Sequence, residues 1–224
     1  MINILTTFIL GLVLGLKHAL EADHLVAVTT LITEYKNPVK AALVGTFWGI
    51  GHTTTLFIIG IAVLLLKINI PESVSHILEI GVGVMLVFLG IRVIITRKDV
   101  HLHKHKHGKD GHIHIHTKEH HKQKSNPHNR SFFIGMIHGI AGSGALMLLV
   151  LATIDSVFLG SLYIIIFGIG SIIGMTVMTA IISLPIYLSV SKFNKVEHWV
   201  RLSAGILSFV FGLYIIVEKI GWLR

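Results

Sequence analysis

The chain has 224 residues, of which 53% are hydrophobic and 13% are charged, and it contains no cysteine. Soluble domains carry closer to a quarter charged residues, so this composition argues against a soluble globular protein. Without cysteine the chain can form neither a disulfide framework nor a thiolate metal site. The formal net charge of +8 does not indicate a nucleic-acid partner, because residues 97–130 hold nine Lys or Arg against three Asp or Glu and so account for +6 of it.

Long runs without charged side chains divide the chain into membrane-crossing segments. Residues 1–16 carry no charge, and neither does the stretch between Asp155 and Lys192. Apolar runs of about 18 residues or more are typical of transmembrane helices. We therefore predict an all-α, polytopic membrane protein with about six transmembrane helices. Their approximate bounds are 4–30, 40–66, 74–96, 131–154, 158–188 and 199–219.

Basic residues are concentrated in alternate connections between these spans. Besides the basic segment 97–130, the first and fifth connections carry Lys36, Lys40, Lys192 and Lys195. Short loops rich in Lys and Arg stay in the cytoplasm. We therefore expect a multi-pass protein of the cell membrane with its central loop in the cytoplasm and both termini outside.

The two halves of the chain resemble each other at three places, offset by 120, 119 and 122 residues. The matches are Gly15-x-x-His18 with Gly135-x-x-His138, Gly49-Ile50-Gly51 with Gly168-Ile169-Gly170, and Gly83-x6-Gly90 with Gly205-x6-Gly212. Each half holds three predicted spans, an odd number, so the second half would be inverted relative to the first. We predict two inverted three-helix repeats, residues 1–98 and 131–224, joined by the loop 99–130.

The first predicted span contains a polar motif, His18-Ala-Leu-Glu21-Ala-Asp23-His24. Ionisable side chains at bilayer depth are costly unless they are paired, hydrated or metal-bound, so they mark an ion or substrate path. Imidazole and carboxylate suit borderline divalent ions. On a straight helix Asp23 would point away from His18. Either the helix is broken here, or Asp23 accepts a ring N–H and sets a tautomer.

His52 is the natural ligand from a second span, because it lies in an otherwise apolar stretch. A lone buried histidine is usually a hydrogen-bonded core residue, but the neighbouring cluster favours a place for His52 in the ion path. The predicted transport site consists of His18, Asp23, His24 and His52. Weaker candidates are Glu21, His138 and Ser143, the last in a Gly/Ser stretch that serves either close helix packing or an unwound backbone.

Residues 101–128 hold ten of the sixteen histidines, interleaved with Lys and Gly. Such a segment has too little apolar surface to build a core, so we expect residues 99–130 to be disordered. His-rich tracts are typical of metal binding, which predicts weak, exchangeable metal capture. The histidines assigned to capture are His101, His103, His105, His107, His112, His114, His116, His120 and His121.

The motif His18-x4-Asp23-His24, a histidine in a second span and a His-rich loop together resemble the nickel/cobalt transporter superfamily (NiCoT). The chain length, the central loop and the stretch His138-Gly-Ile-Ala-Gly-Ser-Gly look more like its NicO/RcnA-like branch, which includes urease-accessory-type members. The resemblance implies that His18, Asp23, His24 and His52 recognise metal. It leaves the direction of flux open, since NiCoT members import and RcnA-like members export. The superfamily's further acidic and threonine motifs are not evident here.

The resulting hypothesis is a membrane transporter of divalent transition-metal ions, not an enzyme, with no prosthetic cofactor. Nickel or cobalt is favoured, and zinc and iron are further candidates. Two other classes stay open: a metal sensor or urease-maturation membrane partner, and a membrane di-iron enzyme, for which His116-x3-His120-His121 would be one ligand box. Divalent ions and the lipid bilayer are the expected partners, with no nucleic acid. A second copy of the chain or an accessory metal-delivery protein is a further candidate.

Overall fold

A computed structural model describes residues 4–33, 35, 37–67, 71–95, 100–107, 110–117, 127–141, 151, 153–154, 156–190 and 194–222. Within these residues the chain forms long helices and one β-hairpin. The helices are α1 Ile4–His18, α2 Ala22–Ile32, α3 Pro38–Leu66, α4 Glu72–Ile95, α5 Pro127–Ala141, α6 Val157–Val190 and α7 Asn194–Trp222. The strands are β1 Val100–His107 and β2 Asp110–Thr117.

Four of these helices are long and apolar enough to cross a membrane, and a fifth crossing results if α1 and α2 form one bent span. The multi-pass membrane class predicted from the sequence is therefore confirmed. The predicted number of six is not reached within the described residues. The span expected at 131–154 is described continuously only as far as Ala141, and most of its remainder lies outside the described residues.

The first span is broken between α1 and α2, whose axes differ by 55°. Helix α1 ends at His18, and the amides of Leu20 and Glu21 donate to the carbonyls of Lys17 and His18 at 3.0 and 3.1 Å, which closes a tight last turn. Glu21 then takes an extended backbone conformation, and its carbonyl accepts from Leu25 at 3.0 Å to start α2. The break places His18 at one helix end and Asp23 in the first turn of the next.

The helices approach closely because glycines lie at their contacts. A Cβ built on Gly15 would collide with the carbonyl oxygen of Phe167 in α6, and one built on Gly135 would collide with the carbonyl oxygen of Trp48 in α3. Helices α4 and α7 show the same feature at two further glycine pairs. Those pairs are Gly83 with Gly212 and Gly90 with Gly205, each glycine facing the carbonyl oxygen of the other. Small residues at such positions allow helix backbones to approach within a membrane.

The His-rich segment differs from the disordered loop predicted for residues 99–130. Strands β1 and β2 pair antiparallel, with Val100 opposite Thr117 and His107 opposite Asp110. Histidine alternates here with Val, Leu, Ile or Lys, and this period of two is typical of a strand. The expectation of disorder was based on composition and left that period out. Outside this hairpin, every regular element of the described residues is a helix, in agreement with the predicted helical class.

We expect Gly90→Ala to lower the thermal stability of the detergent-solubilised protein. The new Cβ would lie 2.6 Å from the carbonyl oxygen of Gly205 and 2.7 Å from the amide nitrogen of Phe209, so α4 and α7 would have to separate. Overpacking of this kind costs about 1–3 kcal/mol. Gly221→Ala in α7 is the matched control, because a Cβ there meets no atom within 4 Å. Equal melting temperatures for the two variants would contradict the tight α4–α7 contact.

Candidate metal site

Four buried histidines from four helices meet inside the helix bundle. His18 ends α1, His24 lies in the first turns of α2, His52 is near the middle of α3, and His138 is close to the end of α5. Each of their side chains is at most 1% exposed. The ring centroids of His18, His24 and His52 lie 4.5–5.1 Å apart, and that of His138 lies 4.4 Å from that of His24. The cluster is thus a continuous group of imidazoles.

Glycine contacts bring the histidines of α3 and α5 together. A Cβ on Gly139 would lie 2.5 Å from the carbonyl oxygen of His52, and one on Gly51 would collide with the carbonyl oxygen of Phe132. Both glycines are the direct sequence neighbours of a cluster histidine. The close backbone approach therefore places the imidazoles of His52 and His138 side by side, with centroids 5.7 Å apart.

Three of the imidazoles form a group suited to one ion. The Nε2 atoms of His18 and His52 are 2.8 Å apart. The Nε2 atom of His24 is buried and has no hydrogen-bond partner among the described residues. One ligand nitrogen from each of the three residues falls within a group no wider than 4.8 Å. Neutral imidazoles are common ligands of divalent transition metals, so the trio is a candidate three-nitrogen site.

Two carboxylates hold the outer ring nitrogens of this group. The Nδ1 atom of His18 lies 3.3 Å from Oε2 of Glu21, and the Nδ1 atom of His24 lies 3.1 Å from Oδ1 of Asp23. An Nδ1–H that donates to a carboxylate leaves the lone pair on Nε2, which is the tautomer a metal requires there. Glu21 and Asp23 therefore orient the rings of His18 and His24.

Asp23 also reaches the fourth histidine. Its Oδ2 atom lies 3.0 Å from Nε2 of His138, so one carboxylate contacts the rings of both His24 and His138. Asp23, His24 and His138 form a second candidate group whose ligand atoms lie within 4.8 Å. Because α2 begins at Ala22, the carboxylate also lies at the positive end of a helix dipole, which stabilises its charge.

Aromatic rings close the cluster on two sides. The indole of Trp48 lies 5.2 Å from the ring of His24 and 5.3 Å from that of His138, and the ring of Phe167 lies 5.4 Å from His18. Both aromatic side chains are almost fully buried. Neither Trp48 nor Phe167 belongs to the site predicted from the sequence. The spacing of Trp48 four residues before His52 on one helix was the signal available.

The structure brings together all four residues of the predicted transport site, His18, Asp23, His24 and His52. Two of the weaker candidates, Glu21 and His138, contact the same cluster. The third, Ser143, lies outside the described residues, as do His120 and His121. The other seven capture histidines belong to the β-hairpin, where only the backbone is described. Of the two alternatives that the ligand spacing left open, the helix break is present, and Asp23 also lies within hydrogen-bond distance of ring nitrogens of His24 and His138.

Comparison with known proteins identifies relatives that cover most of the chain. The family model described as "Cytochrome C biogenesis protein transmembrane region" matches residues 58–214. The "Urease accessory protein UreH" of Bacillus sp. (strain TB-90) is 40% identical over 213 residues, which are 95% of this chain and 91% of that protein.

Two plant proteins are more distant relatives. The Arabidopsis thaliana "Chloroplast protein FOR GROWTH AND FERTILITY 2" is 26% identical over 97% of this chain, and "FOR GROWTH AND FERTILITY 1" is 25% identical over 96%. The chain spans only 58% and 60% of their lengths. No solved structure matches the chain.

We expect Glu21→Gln to lower the affinity of the purified protein for Ni²⁺ about 10-fold, because carboxylates that orient a ligating imidazole typically contribute 10–100-fold. Equilibrium titration measures the effect in a chain whose histidines at 101–121 are changed to serine, so that only the intramembrane cluster is counted. Glu218→Gln, at an exposed position near the end of α7, is the control and should leave the affinity unchanged. Equal affinities for both variants would remove Glu21 from the site.

Proposed function

The chain belongs to the membrane-protein family described as the cytochrome c biogenesis protein transmembrane region, and we propose that it transports a divalent transition-metal ion, nickel or cobalt. It is also closely similar to the urease accessory protein UreH. The observation that supports the proposal most directly is the buried trio His18, His24 and His52, whose ligand nitrogens converge within the membrane-spanning bundle. Ionisable clusters at this depth are typical of ion pathways.

The ligand chemistry and the relative together favour nickel. Imidazole nitrogens with a carboxylate in reach suit Ni²⁺, Co²⁺ and Zn²⁺ and are unlike the oxygen cages that Mg²⁺ and Ca²⁺ prefer. The similarity to a urease accessory protein supports a role in nickel supply. We assign the chain to the nickel/cobalt transporter superfamily on the strength of His18-x4-Asp23-His24, and to its NicO/RcnA-like branch on the chain length, the central His-rich loop and the stretch 138–144.

We further propose that the fold consists of two inverted repeats. A Cβ on Gly15 would collide with the carbonyl oxygen of Phe167, and a Cβ on Gly135, 120 residues later, would collide with the carbonyl oxygen of Trp48. The reciprocal contacts between α4 and α7 fit a two-fold relation in the same way. In secondary transporters with inverted repeats, a broken helix carries the site and the repeats rock around it to expose it to either side. The break at residues 19–21 fits that mechanism.

The hairpin supplies a metal-capture surface on the cytoplasmic side, next to the basic residues that the charge asymmetry places there. Its register sets three histidine pairs directly opposite each other, at positions that share one face. The pairs are His101 with His116, His103 with His114, and His105 with His112. Many weak imidazole sites near the mouth of a pathway raise the local ion concentration without changing the barrier inside it.

A second candidate function is metal delivery without transport, which the name of the urease accessory relative favours. Such a protein would bind nickel at the same cluster and pass it to a partner on one side of the membrane. Flux in sealed vesicles distinguishes the two functions, since a delivery protein moves no ion across the bilayer.

We expect His24→Ala to abolish Ni²⁺ flux into proteoliposomes that contain the purified protein, while the variant still inserts. Alanine at a charge-poor depth suits the bilayer better than histidine does, so insertion is not expected to suffer. Flux is followed with radioactive nickel at equal protein content. His198→Ala, at an exposed position of α7, is the control and should retain wild-type flux. Near-normal flux in His24→Ala would refute the site, and absence of flux in the wild type would favour delivery.

Replacing the histidines of residues 101–121 with serine should weaken transport at low Ni²⁺ and spare it at saturating Ni²⁺. The reason is that capture raises local concentration and leaves the pathway intact. The difference should also disappear below about pH 6, because histidine with an ordinary pKa near 6.5 binds metal only when neutral. Loss of flux at every nickel concentration in a correctly inserted variant would instead make the hairpin part of the pathway.

A further inference from the structure

We propose that the intramembrane cluster contains two adjoining ion positions that share His24 and are occupied in turn. Position A is formed by His18, His52 and the Nε2 atom of His24. Position B is formed by Asp23, His138 and the Nδ1 atom of His24. This inference rests on the proposed function and adds how the ion moves within the site.

The two ring nitrogens of His24 differ in their contacts, and we assign one to each position. On one side the Nε2 atom is buried without a hydrogen-bond partner among the described residues, and the His24 ring lies within 4.5–5.1 Å of the rings of His18 and His52. On the other side the Nδ1 atom lies 3.1 Å from Oδ1 of Asp23. The opposite oxygen of that carboxylate, Oδ2, lies 3.0 Å from Nε2 of His138. His24 therefore belongs to both candidate groups, and the ligand atoms of each group lie within 4.8 Å of one another.

The two positions differ in charge and chemistry. Position A offers three neutral imidazole nitrogens, whereas position B offers two imidazole nitrogens and a carboxylate. Both sets suit borderline divalent ions, and three protein ligands leave a further coordination place open for exchange. An open place is what an ion needs in order to leave a site again. The carboxylate lies beside both positions, so the charge of the ion is partly balanced in either.

A neutral imidazole has one lone pair and one N–H, so His24 can bind an ion through only one nitrogen at a time. With the ion in position A, the N–H is on Nδ1 and donates to Asp23. With the ion in position B, Nδ1 is the ligand and the N–H is on Nε2, so each transfer of the ion requires one proton to leave Nδ1 and one proton to be taken up at Nε2. The ring stays neutral in both states, and its proton lies on the side away from the ion. Occupancy of the two positions is therefore mutually exclusive.

The two positions also use equivalent histidines from the two halves of the chain. His18 and His138 are 120 residues apart, at matching places of the sequence repeat, and each belongs to only one position. Movement of the ion across the ring of His24 would therefore exchange a ligand of the first half for the matching ligand of the second half. A change in the relative placement of the halves would bias the ion toward one position.

Binding of Co²⁺ to purified full-length protein tests this arrangement, with the histidines of residues 101–121 changed to serine in every sample. We expect one Co²⁺ per chain at saturation. In His52→Ala position A is lost and the ion shifts to position B. Adding His18→Ala to His52→Ala should then change the dissociation constant less than 2-fold, whereas adding His138→Ala should weaken binding at least 10-fold.

A single site that uses all four histidines gives the opposite pattern. In that case His18→Ala weakens binding further in the His52→Ala background, and this result would overturn the proposal, as would two ions per chain in the unsubstituted cluster. Size-exclusion profiles and melting curves check that the variants fold. Where an alanine variant does not fold, His18→Gln and His52→Gln replace it, since glutamine preserves polar volume. Because binding is measured without flux, a failure here leaves the transport proposal standing, and an absence of flux leaves this result unaffected.

Discussion

Buried imidazoles in an apolar bundle can persist only if other groups of the protein satisfy them, because no bulk solvent is available at that depth. Here two carboxylates and the imidazoles themselves meet part of this need, while Nε2 of His24 and the Nδ1 atoms of His52 and His138 have no hydrogen-bond partner among the described residues. Glu21 contacts His18, and Asp23 contacts both His24 and His138. On a continuous helix His18 and Asp23 would point about 140° apart, so the α1–α2 break is what lets both side chains reach the same cluster. The bend of the first span therefore determines where the polar cluster can form.

The second requirement is close approach of the surrounding helices. An imidazole is short, so helices that share a metal ligand group must have backbones nearly in contact. Glycines beside His52 and His138 allow this, since a Cβ on Gly51 or Gly139 would meet the carbonyl of the facing helix. The same device at Gly83, Gly90, Gly205 and Gly212 joins α4 to α7, away from the cluster. Small residues thus determine both the packing of the bundle and the geometry of its polar centre.

The chain is similar to proteins whose names describe two different processes. One is a cytochrome c biogenesis transmembrane region and the other a urease accessory protein. Because the chain has no cysteine, it cannot itself carry out thiol–disulfide exchange. Its buried imidazole nitrogens and carboxylate oxygens are atoms of the kind that divalent transition metals bind. A shared fold does not imply a shared function, and the residues placed within the fold indicate which chemistry this chain supports.

The sequence by itself determined the membrane class, since charge-free runs have no other stable environment, and it identified His18, Asp23, His24 and His52 because ionisable residues in such runs are rare. It indicated a helix break at this motif as one of two alternatives but could not decide between them, because Ala19, Leu20 and Glu21 are strong helix formers and local propensity would continue the helix. Only the tertiary structure decided that Asp23 links two imidazoles and that His138 joins the cluster from more than a hundred residues away. It also showed a hairpin where composition predicted disorder, although the alternation of residues was already visible. Helices that are distant in the sequence must pack together before their imidazoles lie close enough to bind one ion. Local residue patterns do not contain this information.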